Sequence, residues 1–490
     1  MSFATGLWES LLRDLPLIAP QLILVITATV MLWPGDMFVP KGEKSRWAFV
    51  TIVALAVAAL FVGRVPAGDV SVGFSGMYKL DGITKGFQYL ILLAGVITVL
   101  LSQLQLDARK EQTVEYYALI LFSTTGMLFL VGANDLISIY FSLELMALCI
   151  YILVAYFRTE ERSIEAGVKY FLLGAFSSGI LLFGISLLFA AGGGVTTNLV
   201  ELNERLALAP MSSSLLVFTG VLMVLVGFCF KVAAVPFHMW SPDAYDGAPT
   251  PITAFMSMAP KAASLAAFLR VFGTGFNGVH SDWAAPLSFV AAASMILGNT
   301  AALKQISMKR LLAYSSIAHV GYMLLGVLSA GTATGVQAVW LYMLTYLVMQ
   351  SGAFAVVIYL QGKGVGERIE DFRGLGKTQP LLAFAMMAFL LSLAGIPPLL
   401  GFFSKFYLFK LAIEQGHVTL TVIALLTSAV AAYYYLNVVA LMYFKDPVDA
   451  EAKPEPMGTI TTLVVACASV LVVVGTFFGK YLLDWAEKVV

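Results

Sequence analysis

Charged residues are scarce in this chain. Asp, Glu, Lys and Arg make up only 12% of its 490 residues, whereas 60% are hydrophobic and the mean hydropathy is +0.88. Because a soluble domain carries about 25% charged residues, the composition excludes a soluble globular protein. Strand-like alternation of polar and apolar residues is also lacking, and long apolar runs dominate. The sequence therefore predicts an all-α polytopic membrane protein rather than a β-barrel.

Cysteine and histidine are too few and too dispersed for a redox centre. The three cysteines lie far apart and form no CxxC motif, and the four histidines are scattered singly. The glycine-rich stretch from Gly362 to Gly366 follows no strand and lacks the spacing of a nucleotide-binding fingerprint. We therefore expect no metal, no redox or nucleotide cofactor and no catalytic group in this chain. The net charge of zero gives no indication of a nucleic-acid partner.

The apolar runs predict about fourteen membrane-spanning helices, since one crossing takes about 20 apolar residues. The seventh is interrupted by Pro236 and the twelfth by Pro397 and Pro398. The predicted spans are 15–33, 46–64, 83–104, 114–133, 135–157, 164–191, 213–240, 250–274, 282–303, 309–330, 333–361, 378–414, 417–444 and 458–480.

Spans four to eight and nine to thirteen form two matching sets of five. The fourth member of each set is broken by proline and carries a lysine, Lys231 or Lys405. Because five is odd, the two sets must run in opposite directions through the membrane. Inverted repeats with paired broken helices mark the transport site of many transporters. The predicted segments are 1–112 with three helices, 113–278 with the first repeat, 279–446 with the second and 447–490 with the last helix.

Lysine and arginine are more frequent in the connections from odd-numbered to even-numbered spans than in the others. Cytoplasmic loops carry such an excess of positive charge. We therefore expect these connections in the cytoplasm and both termini on the outer, periplasmic side.

Five charged residues inside predicted spans are candidates for function: Lys169, Lys231, Lys261, Lys405 and Glu144. A charge at the centre of a membrane helix costs about 2.5–3.5 kcal/mol, so five lipid-facing charges would exceed the net stability of a typical fold. We expect them to face a protein interior or a wet cavity, with at least partial pairing. A lysine between an apolar interior and a carboxylate can change its protonation state near neutral pH.

Each of these residues also has a structural interpretation. The lysines could snorkel towards a helix end, and Glu144, the one carboxylate deep in a span, could form a static ion pair. His238 follows Lys231 by seven residues, roughly on one helical face, and His319 lies mid-span. Either histidine could be an ordinary core residue.

Three other features are assigned no chemistry. Asp243 and Asp246 are expected to structure a turn, and Asp135 is expected to cap a helix. Partial alternation over Val65–Asp81 predicts a small extramembrane hairpin.

Five stretches of the sequence are familiar: SLELMALCIYILVAY, FKVAAVPFHMWSPDAYDGAPTPITAF, APKAA, KRLLAYSSIAHVGYML and AGIPPLLGFFSKFYLF. Through them, nearly the whole chain resembles the antiporter-like membrane subunits of respiratory complex I, the proton-pumping NADH:quinone oxidoreductases, and among them the N type. M-type subunits are expected to have a glutamate where Lys405 stands.

The resemblance implies a role for each charged group. Glu144 and Lys231 would form a charge pair, Lys261 would be a central relay and Lys405 the terminal proton-handling lysine. The remaining residues that would line a hydrated axis are Lys169, His238 and His319.

The resemblance also implies the setting of the chain. The fold would be two inverted five-helix bundles flanked by three helices before and one after. Partners would be the other membrane-arm subunits in a bacterial inner membrane, with NADH, FMN, iron–sulfur clusters and quinone bound by partner subunits.

Two alternatives stay open. A subunit of a multi-subunit sodium/proton antiporter, or of a membrane-bound hydrogenase, would share much of this fold. A purely structural membrane module would use its charges only to hold helices together.

Overall fold

The computed structural model describes residues 9–35, 45–64, 70–109, 111–208, 214–447 and 458–489, and helices dominate these ranges. The N-terminal segment contains α1 (Glu9–Trp33), α2 (Arg46–Val62) and α3 (Gly82–Arg109). Between α2 and α3 lie two antiparallel strands, β1 (Ser71–Gly73) and β2 (Tyr78–Leu80). The predicted hairpin is thus confirmed, although residues 65–69 of the stretch lie outside the described residues.

The next segment alternates long helices with two short ones. The side chain of Asp135 accepts hydrogen bonds from the backbone N–H groups of Ile137 and Ser138, so it caps a helix as predicted. The helices are α4 (Val114–Gly132), α5 (Leu136–Val154), α6 (Glu161–Ala191), α7 (Leu199–Ala207), α8 (Ser214–Val232), α9 (Trp240–Gly247) and α10 (Thr250–Arg270).

The remaining helices follow the same pattern. They are α11 (His280–Ala302), α12 (Met308–Val327), α13 (Ala333–Gln361), α14 (Leu375–Thr378), α15 (Pro380–Ala394), α16 (Leu400–Glu414), α17 (Val418–Phe444), α18 (Thr459–Val474) and α19 (Gly479–Val489).

Eleven helices of the described residues are long and apolar enough to cross a membrane. The other three predicted spans coincide with the shorter α2, with α12, and with the pair α15 and α16. The all-α membrane fold is therefore confirmed, whereas the count of fourteen crossings, the segment boundaries and the inverted repeat stay predictions.

Both predicted interruptions are present. Helix α8 ends at Val232 and α15 ends at Ala394, and each break contains a cis peptide bond before proline. The predicted end of the seventh span at residue 240 is wrong, because the chain leaves the helix eight residues earlier and α9 is a separate helix. Proline cannot donate the helical hydrogen bond, so the backbone near the break needs other partners.

Those partners come from inside and outside the break. The N–H of Val235 donates to the hydroxyl of Ser294 in α11 at 2.9 Å. The indole of Trp240 donates to the carbonyl of Phe230 at 2.9 Å and stacks on the ring of Tyr170. These bonds fix the path of the chain just beyond Lys231.

Helices α10 and α13 form the centre of the molecule. Every residue of α10 is buried, and small side chains fill much of its surface. Small residues let membrane helices approach closely. The outer helices instead present large apolar residues, such as Phe141 of α5 and Phe176 of α6.

A buried ion pair joins the N-terminal segment to α10. Arg270 donates to both carboxylate oxygens of Asp81, at 2.9 and 2.7 Å, and to the hydroxyl of Thr84. Arg270 was not among the charges expected to be buried, yet only 1% of its side chain is exposed. Burial would raise the pKa of Asp81, but the charge and hydrogen bonds of Arg270 outweigh it and hold that pKa well below its ordinary value.

Candidate functional site

Glu144 and Lys231 meet between α5 and α8, as predicted. The ammonium group of Lys231 lies 3.6 Å from the nearer carboxylate oxygen of Glu144. Ser178 of α6 lies between them: it donates to that carboxylate and accepts from Lys231 at 3.3 Å. Three helices thus bring one anion, one cation and one hydroxyl together.

The pair is unequally buried. The side chain of Lys231 is 3% exposed and that of Glu144 is 24% exposed. At 3.6 Å and an effective dielectric near 20, their attraction is about 5 kcal/mol. Removing each ion from water costs several kcal/mol. The two effects are of similar size, so a modest change around Glu144 can alter the state of the pair.

Lys261 lies at the centre of α10 without a carboxylate among its hydrogen-bond partners in the described residues. Its ammonium group donates to Ser316 of α12, and Ser316 also accepts from the hydroxyl of Tyr346 at 2.8 Å. Gln350 donates to Tyr346 at 2.8 Å. The ammonium group of Lys261 is therefore hydrogen-bonded to a hydroxyl group and not paired with a carboxylate.

His319 lies in the middle of α12 and is buried. One ring nitrogen, Nδ1, is hydrogen-bonded to the hydroxyl of Tyr342 at 2.8 Å. The rings of Tyr322 and Tyr346 also pack against the imidazole. The predicted position inside a helix is confirmed, whereas the part of His319 in proton transfer stays a prediction.

Lys405 caps the half-helix that ends at the second break. Its ammonium group donates to the carbonyls of Leu393 and Ala394 at 2.9 and 3.0 Å and to the hydroxyl of Ser428 at 3.0 Å. A helix C-terminus carries a partial negative charge. The break thus supplies carbonyl groups that stabilise a buried cation 4% exposed to solvent.

The lysines of the two broken helices are not placed alike. Lys231 is in the last turn before its break, whereas Lys405 lies in α16, after its break. The positional match on which the repeat was predicted therefore holds for the helices but not for the lysines within them.

Lys169 and His238 lie away from these groups. The side chain of Lys169 is 47% exposed and pairs with Glu165 at 2.7 Å and with Asp243 at 3.1 Å. His238 lies within the first break and not on the face of α8, because the helix ends at Val232. No hydrogen bond or ion pair among the described residues joins either one to Lys231, Lys261 or Lys405, so their part in proton transfer stays a prediction.

Lys169 lines a charged cavity of about 550 Å³. It is bounded by the connections that follow the third, fifth, seventh, ninth and eleventh predicted spans, so these five connections share one face of the molecule. Asp243 lies between two cations: it pairs with Lys169 and accepts a hydrogen bond from Arg310 at 2.9 Å. Burial would raise the pKa of Asp243, but the hydrogen bonds from Arg310 and Lys169 outweigh it and lower that pKa.

Several functional groups were missed by sequence reasoning. Lys309 was not among the predicted site residues, yet it is buried and donates to the carbonyl of Ala248 at 2.9 Å. The hydroxyls of Ser178, Ser316 and Ser428 were also missed. Tyr342, Tyr346 and Gln350 recur every four residues on one apolar helix, and that spacing was the one signal available. Within the described residues, no group of three or more His, Cys, Asp or Glu side chains could bind a metal ion.

The chain is similar to known proteins in sequence and in fold. Residues 133–431 match the family described as "NADH:quinone oxidoreductase/Mrp antiporter, TM". NADH-quinone oxidoreductase subunit N of Paramagnetospirillum magneticum is 41% identical, with 97% of each chain covered. A chain in the structure of respiratory complex I from Thermus thermophilus superposes with a TM-score of 0.79 at 32% identity, covering 95% of this chain and 98% of that one. A chain of the Mrp complex from Dietzia has a TM-score of 0.82 at 22% identity, covering 96% of each chain, which is a likeness of fold.

Proposed function

The chain belongs to the NADH:quinone oxidoreductase/Mrp antiporter family of membrane subunits, and we propose that it is the N-type proton-translocating subunit of a complex I. It is part of an oxidoreductase complex in a bacterial membrane, and its partners are the other membrane subunits of that complex. It would move protons along Glu144, Lys231, Lys261, His319 and Lys405, driven by quinone reduction elsewhere.

One observation carries the proposal: three lysines lie buried in a membrane protein, and hydroxyl, carbonyl and single carboxylate groups are their polar partners. A buried cation is costly unless it is neutralised. This placement favours lysines that gain and lose a proton, rather than lysines that stay in a permanent ion pair. Among these groups, Glu144 is the one whose side chain is partly exposed on the surface of the chain, where a neighbouring subunit could act on it.

The first step of the proposed mechanism is separation of the Glu144–Lys231 pair. When a charge moves in a neighbouring subunit, Glu144 turns away and Lys231 loses its anionic partner. Ser178, which is hydrogen-bonded to both groups in the closed pair, keeps its hydrogen bond to Lys231. The proton of Lys231 then becomes easier to release towards Lys261, and Lys405 receives the charge at the end of the path.

Three further points belong to the proposal. NADH, FMN, iron–sulfur clusters and quinone would be bound by partner subunits and not by this chain. The face with the charged cavity would be cytoplasmic and both termini would lie on the outer side. The five-helix sets would be inverted repeats.

The test is Lys231→Met in the assembled complex, reconstituted in liposomes. We expect NADH-driven proton translocation to be lost or sharply reduced. The matched control is Lys410→Met, because Lys410 is 59% exposed and pairs only with Glu414 in the described structure; it should pump normally. Full proton translocation by Lys231→Met would contradict the proposal.

The antiporter alternative predicts a different result. Such a subunit would exchange protons for sodium ions without NADH oxidation. Proton movement in the same liposomes that follows a sodium gradient and not the addition of NADH would favour it.

A further inference from the structure

Helix α13 contains no charged residue, yet it contacts His319 directly and reaches Lys261 through Ser316. Three of its polar side chains, Tyr342, Tyr346 and Gln350, are spaced four residues apart, so they lie on one helical face. All three are buried. A buried polar face needs internal partners, and here Tyr342 is bonded to His319, Tyr346 to Ser316 and Gln350 to Tyr346.

Tyr346 reaches Lys261 through Ser316. Its hydroxyl donates to Ser316 at 2.8 Å, and Lys261 donates to the same oxygen. Gln350 donates to Tyr346 at 2.8 Å and so fixes the position of its hydroxyl. The result is a row of hydrogen-bonded groups that begins at the ammonium of Lys261.

The opposite end of this row approaches His319. The ring of Tyr346 lies 5.1 Å from the imidazole, measured between centroids. Tyr342, one turn earlier, is hydrogen-bonded to Nδ1 of His319. One turn of α13 therefore contacts Ser316, the partner of Lys261, at one residue and His319 at the other. Between them, Thr345 donates to Ser404, the neighbour of Lys405, at 2.9 Å.

We propose that the hydroxyls of Ser316 and Tyr346 carry the proton between Lys261 and His319, and that Tyr342 positions His319 to receive it. The proposal rests on the proposed function of the chain. The hydroxyls of Tyr346 and Ser316 first turn, so that the bond that Tyr346 donates to Ser316 is reversed and Tyr346 is free to donate to His319. Lys261 then gives one proton to the oxygen of Ser316, whose own proton passes to Tyr346. Tyr346 passes its proton to Nε2 of His319, directly or through one water. One proton leaves Lys261, one arrives at His319, and both hydroxyls end neutral.

Tyr342 has a separate role in this transfer. When Nδ1–H of His319 donates to Tyr342, the lone pair of Nε2 is free to accept a proton. The hydrogen bond at one ring nitrogen sets which tautomer is present. Tyr342 is therefore a positioning residue, whereas Ser316 and Tyr346 handle the proton.

The competing explanation is that these hydroxyls only hold helices together, as Ser and Thr side chains commonly do in membranes. The test uses the assembled complex in liposomes and compares Tyr346→Phe, Ser316→Ala and Ser316→Thr, with every rate normalised to the amount of assembled complex. Ser316→Thr keeps the hydroxyl. Tyr117→Phe is the control, because Tyr117 is equally buried and its hydroxyl has no hydrogen-bond partner in the described structure.

Loss of a proton-transfer group slows a reaction by about a hundredfold or more. Because a water molecule can take the place of a lost hydroxyl, we expect Tyr346→Phe and Ser316→Ala to slow NADH-driven proton translocation by at least about tenfold. Ser316→Thr, which keeps the hydroxyl, should recover most of the rate that Ser316→Ala loses, and the control Tyr117→Phe should pump normally. Tyr342→Phe should shift the pH profile of translocation and leave assembly unchanged, a result that a helix-packing role would not give.

Two outcomes are distinguishable. If Tyr346→Phe and Ser316→Ala pump at the normal rate while Lys261→Met does not, the hydroxyl relay is overturned and the proposed function stands. If Lys231→Met and Lys261→Met also pump at the normal rate, the proposed function itself fails.

Discussion

Gly395 leaves the space that the side chain of Lys405 occupies. A methyl group on Gly395 would come within 2.8 Å of Cδ of Lys405. The glycine also has a φ of +83°, which other residues rarely adopt. One residue thus both ends α15 and admits the cation that caps it.

Gly395→Ala should therefore impair Lys405 without changing any charge. We expect slower NADH-driven proton translocation per assembled complex, because the new methyl group displaces the ammonium from its carbonyl partners. Gly416→Ala is the matched control: its φ is +84°, so the backbone cost is the same, about 1–2 kcal/mol, but nothing lies within 4 Å of the added methyl. Equal rates in the two variants would show that Lys405 does not depend on this space.

Ser178→Ala should weaken the coupling between Glu144 and Lys231. The hydroxyl makes a hydrogen bond to each charged group, and such bonds contribute about 1.5–3 kcal/mol. We expect a severalfold slower translocation and a shifted pH profile. Ser177→Ala removes the same atom from a buried serine without a hydrogen-bond partner in the described structure. A normal pH profile for Ser178→Ala would contradict a bridging role.

Asp81→Asn should destabilise the chain at neutral pH by about 3–5 kcal/mol, since it leaves Arg270 buried without its counter-charge. The measurement is the midpoint of thermal unfolding of the assembled complex. Asp446→Asn is the control: its partner Lys377 is 55% exposed, and solvent-exposed pairs contribute little.

The same pair sets a pH dependence. The pKa of Asp81 is lowered in the fold, so its contribution is complete above the pKa of an unfolded aspartate, about 3.9. That contribution falls as the pH drops below this value towards the lowered pKa. The thermal midpoint of the wild type should approach that of Asp81→Asn in this acidic range, and a constant difference between them would rule out the assigned pairing.

Lys169→Met separates the two interpretations of Lys169. Its side chain lies on the cavity wall with Glu165 and Asp243, so we expect proton translocation to fall less than in Lys261→Met. Both rates are measured in the same liposomes. A loss of translocation as complete as that in Lys261→Met would show that Lys169 is part of the proton path.

Local chemistry made part of this fold predictable. Proline lacks the N–H of a helical hydrogen bond, and Pro236 and Pro397 correctly marked the two breaks. Pro260 and Pro286 nevertheless lie inside helices, so proline alone does not fix where a helix ends. The end of α8 at Val232 was missed, because the bonds that stabilise the break come from Ser294 and Trp240, and their contribution depends on tertiary packing.

The candidate site was predictable where it is charged. Lys231, Lys261, Lys405 and Glu144 were found because a charge in an apolar run is conspicuous. Ser178 was not, since serine is common in membrane helices and this one lies 53 residues from Lys231. The burial of Arg270 was missed for a related reason: hydropathy cannot show that it is paired with Asp81.

Helix α10 is enclosed on all sides from Thr250 to Arg270. Lys261 is bonded to α12, and Arg270 is fixed to Asp81, so a sliding motion of this helix would break both attachments and repack every neighbour. In a close-packed interior there is no empty space into which α10 could slide. The central helix therefore does not act as a piston: it holds Lys261 in place, and under the proposed function what crosses it is a shift of charge rather than a movement of the helix.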